Sequence, residues 1–319
     1  MTNFQVYKKT LSFSFVSFLI DLLVMALIAG LTYGGFLIFN SFNVNGVIGV
    51  AVGLFVGIVI AILVGIFVTN RIKAAQIAMM TKGVVDNKIE DSSFKAGMQE
   101  VKGRFGKITL FFLITNAIKG IFHQLGRVIN EVGTAIGGDA GDAITSGINA
   151  AIEILIGYLC DCCLGWVLYR KDINSFKAGC EGAVIFFKHG KTLIRNIGRI
   201  FGMGFVSLLV IGGAFFGISY LISLQIPDIY NNLAIEIGKL GKDIPSFMTD
   251  PKILMLVASG VVALIMFSII HSLLIRPFIL VGVLRNFMAA GIKDIPTEAD
   301  FAALDAKSSK FAKLHSRVE

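Results

Sequence analysis

Blocks of apolar residues, each roughly as long as a bilayer is thick, limit most strongly what this chain can fold into. A transmembrane helix needs about 20 predominantly apolar residues, and six stretches of the sequence reach or approach that length. In lipid, every backbone polar group has to be hydrogen-bonded inside the protein, which favours helices. We therefore predict an all-α integral membrane protein with six transmembrane helices. The predicted spans are 11–39, 47–69, 108–122, 148–169, 197–224 and 253–275.

The composition also indicates a membrane protein. Hydrophobic residues make up 55% of the chain and charged residues 16%, whereas soluble proteins carry about 25% charged residues. So few charges would not cover a water-facing surface. We predict that residues 1–292 form the transmembrane domain and that the more polar residues 293–319 form a cytoplasmic tail.

The placement of the basic residues predicts the orientation in the membrane. The net charge is +8, and only five of the 29 lysines and arginines would lie on one side of the six spans. Because basic residues concentrate on the cytoplasmic side, we expect a cell-membrane protein with both termini in the cytoplasm. The basic segments would contact anionic lipid headgroups. They are spread too widely to indicate a nucleic-acid site. The five exceptions are Lys119, Arg127, Lys239, Lys242 and Lys252.

A pentapeptide occurs twice, as Ser93–Gly97 and as Ser175–Gly179, and each copy begins an amphipathic segment before an apolar block. An echo of this kind indicates an internal repeat. We predict two cytoplasmic amphipathic elbow helices, within 71–106 and 171–191. The elbows either pack against the ends of neighbouring spans or act directly in gating or partner docking. Both units start outside, enter and return, so the repeat would be parallel.

Ionisable residues inside predicted spans are the first candidates for a functional site. They are Asp21 in the first span, Glu153 and Asp161 in the fourth, and His271 in the sixth. At about 1.5 Å of rise per residue, Asp21, Asp161 and His271 would all lie in the inner half of the bilayer. A shared polar pocket there would bind a cation or relay a proton. The alternative is that each side chain reaches the interface or pairs privately with a neighbour.

A stripe of glycines, Gly49, Gly53 and Gly57, runs along the second span with a spacing of four residues. Small residues at this spacing allow two helices to approach closely. The stripe predicts either packing within the chain or a homo-oligomer contact.

Cysteines Cys160, Cys162 and Cys163 cluster near the end of the fourth span. Three cysteines within four residues of one helix point in different directions, so they fit tetrahedral zinc poorly. Close helix packing is one interpretation and palmitoylation is another. We find no catalytic motif, so we expect no metal, no cofactor and no enzyme activity.

From Cys160 to Asn286 the chain resembles the choline transporter-like family. The resemblance is carried by the cysteines that end span four, the segment Phe176–Arg199 with its basic run Lys191–Arg199, and the two spans and polar tail that follow. That family has a large outer loop after its first span, where this chain has only residues 40–46. The chain is also similar to bacterial six-span membrane proteins of unknown function. Neither resemblance assigns site residues.

Two functions compete on these grounds. Transport of a small cationic or amphipathic solute, as the resemblance implies, would need a wet cavity between the spans that reaches Asp21, Asp161 and His271. A non-transporting subunit that scaffolds or anchors a larger membrane assembly would need a dry bundle. It would also expose a face to another copy of the chain or to a partner membrane protein. An enzyme facing the cytoplasm is a third, weaker hypothesis.

Overall fold

The computed structural model describes residues 1–42, 46–104, 114–124, 141–194, 197–239, 245 and 249–317. Within these ranges the regular elements are all helices and no strand is found. The prediction of an all-helical protein is confirmed.

Within the described ranges, three π-helical turns continue one helix into the next. These turns are Gly65–Thr69, Leu208–Gly212 and His271–Ile275, which join α2 to α3, α8 to α9 and α11 to α12. The helices are α1 (Asn3–Ser41), α2 (Gly46–Val64), α3 (Asn70–Val85), α4 (Ser93–Arg104), α5 (114–124), α6 (Gly141–Tyr169), α7 (Ser175–Ile194), α8 (Ile197–Ser207), α9 (Gly213–Ser223), α10 (Pro227–Lys239), α11 (Pro251–Ile270), α12 (Arg276–Lys293), α13 (Glu298–Asp305) and α14 (Ser309–His315).

Four helices in the described part of the chain are long and apolar enough to cross a membrane. They overlap the first, second, fifth and sixth predicted spans. The third and fourth are not among them: residues 108–113 lie outside the described ranges, and the fourth falls in α6. The four helices are Asn3–Ser41, Ile48–Val85, Gly202–Ser223 and Pro251–Lys293.

Packing divides the chain into two compact units. Unit 1 comprises Met1–Ile197 and Pro277–Glu319, and unit 2 comprises Gly198–Arg276. Residues 293–319, which the sequence suggested as a separate tail, therefore belong to the same unit as the N-terminal helices.

In unit 1, two long helices change environment along their length. The first turns of α1 are buried, as at Val6 and Phe13, whereas the apolar side chains from Phe15 to Phe42 are largely exposed. The continuous helix α2–α3 changes in the same way, because α2 is exposed and α3 is buried from Ile72 onward. An exposed apolar hairpin, α1–α2, thus rises from a packed body. We call this body the base; it contains residues 3–14 of α1, α3, α4, α5, residues 156–169 of α6, α7, α12, α13 and α14.

The two copies of the repeated pentapeptide begin α4 and α7, each with its serine as the first helical residue. Ser93 donates a hydrogen bond to the carbonyl of Lys9 at 3.1 Å, and the ring of Phe94 lies 5.1 Å from that of Phe13. In the second copy, Phe176 packs against a cluster formed by α7 and the C-terminal helices. Both helices are therefore held in the base by side-chain packing. Their predicted position at a membrane surface stays a prediction.

The C-terminal helices close one side of α7. α13 begins with a capping box between Thr297 and Asp300, which pairs the free N–H groups at its start. A cluster of buried side chains joins α5, α7, α13 and α14. It consists of Ile121, Cys180, Ala183, Val184, Phe301, Leu304, Phe311 and Leu314.

Unit 2 is a second apolar hairpin in which α9 packs along α11 and α10 connects them. Asp250 caps α11 by accepting from the N–H of Lys252, and Pro251 occupies the first turn, where no backbone donor is needed. The Ser223 hydroxyl lies 2.8 Å from the Tyr230 hydroxyl and 3.4 Å from that of Ser259. These contacts hold the end of α9, α10 and α11 together.

Candidate functional site

Asp161 is a buried, ion-paired carboxylate in the base. α6 places it opposite Lys73 of α3, with 2.7 Å between the Lys73 Nζ and Asp161 Oδ1 atoms. Only 4% of Asp161 is exposed, whereas the Lys73 side chain is 39% exposed. Burying a carboxylate is costly unless it is paired, so the ion pair with Lys73 offsets part of the cost of burying Asp161.

The other predicted site residues lie in different surroundings. Asp21 is exposed on the apolar part of α1. Glu153 is exposed on α6, with its Oε1 atom 3.0 Å from His123 Nδ1. Among the described residues of unit 1, no hydrogen bond or ion pair joins Asp21 to Asp161 or Glu153.

His271 belongs to unit 2, where it begins the π-helical turn between α11 and α12. Its ring lies 5.4 Å from that of Phe267, one turn earlier in the helix. The side chain is part-buried against its own helix and neighbours.

The glycine stripe of α2 faces α1. A methyl group on Gly53 would come within 2.7 Å of the Leu31 carbonyl carbon, and one on Gly57 would come within 3.1 Å of the Ile28 Cα atom. Gly49 lies against Gly35 in the same way. The two backbones touch along this seam, so the stripe packs within the chain and leaves no room for a solute between α1 and α2.

Glu100 is the centre of a charged cluster at the surface of the base. Lys82 Nζ lies 3.0 Å from Glu100 Oε1, Lys171 donates to Glu100 Oε2, and Glu90 approaches Lys82 at 3.7 Å. Burial raises the pKa of Glu100, but the hydrogen bonds from Lys171 and Lys82 outweigh it, so the pKa lies below its ordinary value. The cluster ties α3, α4 and the end of α6 together.

An open groove of about 440 Å³ runs beside this cluster. Ala96, Gln99 and Gly103 of α4 form the rest of its lining. Because its cations and carboxylates already pair with one another, the groove offers no unpaired charge to a solute.

Glu181 forms a second buried network. It is 3% exposed and accepts from the Trp166 indole N–H at 2.9 Å and from an Arg170 guanidinium nitrogen at 2.8 Å. Arg170 also pairs with Asp172 at 2.8 Å. Burial raises the pKa of Glu181 above its ordinary value, although its two donors oppose the shift. The charge-assisted bonds lock α7 to the end of α6.

Three of the four cysteines of the base are packing residues, and the fourth, Cys160, is partly exposed. Cys162, Cys163 and Cys180 are completely buried, and burial raises the pKa of Cys180 to about 12. A thiol with so high a pKa is a poor nucleophile and a poor metal ligand at neutral pH. In the part of the chain that the structure describes, no three His, Cys, Asp or Glu side chains come together as metal ligands.

Sequence reasoning found Asp161 but missed its partner and missed the Glu181 network. Lys73 and Asp161 are far apart in the chain, and no local pattern links them. A signal for Glu181 does exist: it is an acidic residue within the buried stretch Cys180–Ile185 of α7, and the chain's one tryptophan is its donor.

Comparisons with known proteins add no assignment to this geometry. No family model, no curated protein and no solved structure matches this chain.

Proposed function

We propose that the protein is a four-span membrane subunit whose base lies at the cytoplasmic face. With α1, α2, α8–α9 and α11 as spans, the chain crosses an even number of times, and the base segments share one side. Only three of the 29 lysines and arginines, Lys239, Lys242 and Lys252, would then face the other side. Six spans would place five there, so four spans satisfy the positive-inside rule better.

The function that the geometry supports best is that of a non-transporting subunit, which anchors or scaffolds a larger membrane assembly. The observation that carries this proposal is the direct contact of α1 and α2 along the glycine seam. Two helices in backbone contact enclose no pathway. Three carboxylates of the base, Asp161, Glu100 and Glu181, are engaged in ion pairs. The helices that would cross the bilayer continue into the base, so the base would be attached to the membrane through continuous helices.

Asp21 supports a partner for the membrane-embedded part of α1. It is an exposed carboxylate among apolar side chains, and no described residue bonds to it. A carboxylate at the centre of a membrane helix costs about 2.5–3.5 kcal/mol. A donor on a second copy of the chain or on a partner membrane protein would remove that cost.

The test is the mass of the assembly extracted into native nanodiscs and measured by native mass spectrometry. We expect the wild-type protein in a complex heavier than one chain, and we expect the variant Asp21→Leu to shift toward single chains. Lys88→Met, an exposed position in the base, is the matched control and should leave the mass unchanged. A wild-type protein found only as single chains would contradict the scaffold proposal.

Transport of a small organic cation is the second candidate, and Asp21 is again the observation that favours it. A lone carboxylate in an apolar helix attracts a cation, and the resemblance to the choline transporter-like family supports the same class of solute. The test is the uptake of radiolabelled choline and of tetramethylammonium into proteoliposomes. Flux that the wild type shows and Asp21→Asn loses would favour transport over scaffolding.

A further inference from the structure

We propose that α10 is a membrane-surface helix, whose exposed apolar side lies in one leaflet of the bilayer. The occupant of this side is lipid, at the boundary between headgroups and acyl chains. The inference goes beyond the scaffold proposal and holds for either of the two functions.

Three of the four exposed apolar side chains around α10 lie on one side of the helix, and the fourth, Ile235, lies on the polar side. Ile226, Ile229 and Leu233 follow one another at spacings of three and four residues, which places them on one face. They are 41%, 58% and 45% exposed. On soluble surfaces exposed apolar residues are usually scattered singly, so a contiguous row of this kind marks a surface that meets something other than water.

The other side chains of α10 also fit a helix at a membrane interface. Asp228, Asn231 and Asn232 are exposed and polar, and they share another face by the same spacing. Ala234 is buried and Tyr230 points toward the hairpin, where its hydroxyl meets Ser223. α10 thus has one side on protein, one polar side and one apolar side that the chain leaves uncovered, which is the pattern of a helix lying in the interface plane.

The connections of α10 place it at the level of the membrane. It joins two helices that are apolar enough to cross a bilayer. Through Ser223 it is tied to Ser259, in the third turn of α11. Exposed apolar residues of α11, Leu256 and Val257, come before Ser259 in the helix. α10 is therefore held beside apolar surface that is itself suited to lipid.

The length of α10 decides between lying on the membrane and crossing it. Its 13 residues span about 20 Å, and the hydrocarbon core is about 30 Å thick. α10 is too short to cross, so an uncovered apolar side at this level is satisfied by lying along the surface. Lys252, exposed in the first turn of α11, is placed to meet the lipid phosphates.

The experiment uses tryptophan fluorescence of the full-length protein in liposomes. Ile229→Trp puts a reporter on the apolar side, and Asn231→Trp, at an exposed position two residues on, is the matched control on the polar side. Trp166, the only natural tryptophan, is fully buried and provides a constant background. One set of liposomes contains phosphatidylcholine brominated on its acyl chains, and another contains iodide in the external buffer.

We expect brominated lipid to quench the reporter at 229 at least about twofold more than the one at 231, and iodide to show the opposite order. Equal quenching of both positions by iodide would overturn the proposal. Protection of position 229 from both quenchers would also overturn it, because protein would then cover the face. Leu233→Trp repeats the measurement if Ile229→Trp lowers the melting temperature. The quenching reads out lipid contact alone, so its failure is distinct from failure of the assembly or flux experiments.

Discussion

The two residues of the Asp161–Lys73 ion pair differ in burial, and therefore in the energetic cost of losing the partner. Asp161 is almost completely buried, so loss of Lys73 would leave a carboxylate in the protein interior without its cationic partner. The Lys73 side chain is part-exposed, so without Asp161 it could still reach water. At the scale of single residues, burial rather than distance decides which half of an ion pair is indispensable.

We therefore predict that Lys73→Met destabilises the protein more than Asp161→Asn does. The loss for Lys73→Met should be about 1–3 kcal/mol, below the value for a fully buried pair because Lys73 is part-exposed. The measurement is the thermal unfolding of both variants in the same detergent. Lys88→Met, at an exposed position, is the control for loss of a lysine. A larger loss for Asp161→Asn would contradict the prediction.

The Glu100 cluster predicts a dependence of stability on acid. The pKa of Glu100 is lower in the folded protein than its ordinary value of 4.5, because Lys171 and Lys82 donate hydrogen bonds to it. Its stabilising contribution is thus fully present above that ordinary value and is lost as the pH falls through the lower, folded pKa. Melting temperatures measured at decreasing pH should fall less steeply in Glu100→Gln than in the wild type.

Glu90→Gln is the control for the acid experiment. Its carboxylate is 56% exposed and lies 3.7 Å from Lys82, so its removal should change the acid slope less than Glu100→Gln does. Equal slopes for the wild type and Glu100→Gln would show that other groups carry the acid sensitivity.

At the scale of elements, the α1–α2 hairpin and the α7–α13–α14 cluster are held by different means. The hairpin relies on the absence of side chains along its seam, where any added atom meets backbone. The cluster relies on large side chains that interdigitate, such as Phe301 and Phe311. The first kind of contact is sensitive to insertion of a methyl group, and the second is sensitive to its removal.

Adding one methyl group tests the hairpin seam. Gly53→Ala would bring its Cβ atom against the Leu31 backbone, whereas Gly30→Ala has nothing within 4 Å. Overpacking costs about 1–3 kcal/mol, so Gly53→Ala should lower the melting temperature. Gly30→Ala should leave it unchanged or raise it, because alanine favours helix over glycine by up to about 1 kcal/mol. Equal melting temperatures would show that the seam opens without cost.

Truncating one side chain tests whether the C-terminal helices cover α7. Phe311→Ala should loosen α14 from the cluster and expose Cys180, which is completely buried in the wild type. Water would then also lower the pKa of Cys180 from about 12, so its reaction with N-ethylmaleimide should be faster on both grounds. Mass spectrometry of the Cys180 peptide gives the rate. Lys313→Ala, an exposed position on the same helix, should leave Cys180 unreactive.

At the scale of the whole molecule, the number of spans determines on which side of the membrane the segment before α6 lies. Six spans place residue 139 on the side opposite the termini, whereas four spans place it on the same side. We expect a membrane-impermeant maleimide to label Asp139→Cys only after the cells are permeabilised. Asn232→Cys should be labelled in intact cells and Lys88→Cys should not, and the wild type corrects for the natural cysteines. Labelling of Asp139→Cys in intact cells would restore the six-span arrangement.

The sequence by itself determined that this chain is helical and where its stretches long and apolar enough to cross a membrane lie. Hydropathy and helix formation depend on residues close together in the chain, so the apolar stretches in α1, α2, α8–α9 and α11 are readable from local pattern. The spacing of Gly49, Gly53 and Gly57 also predicted a close helix contact. It did not predict that α1 is the helix contacted, because that depends on the tertiary structure.

Only the tertiary structure decided whether an apolar stretch is buried against protein or left exposed. Residues 156–168 of α6 read as a span, yet they are largely buried in the base against α3 and α7. Hydrocarbon and a protein interior satisfy an apolar side chain equally well, so hydropathy cannot distinguish them. The same is true of Asp161: a carboxylate in an apolar segment looks like an intramembrane site until the fold brings Lys73 to it.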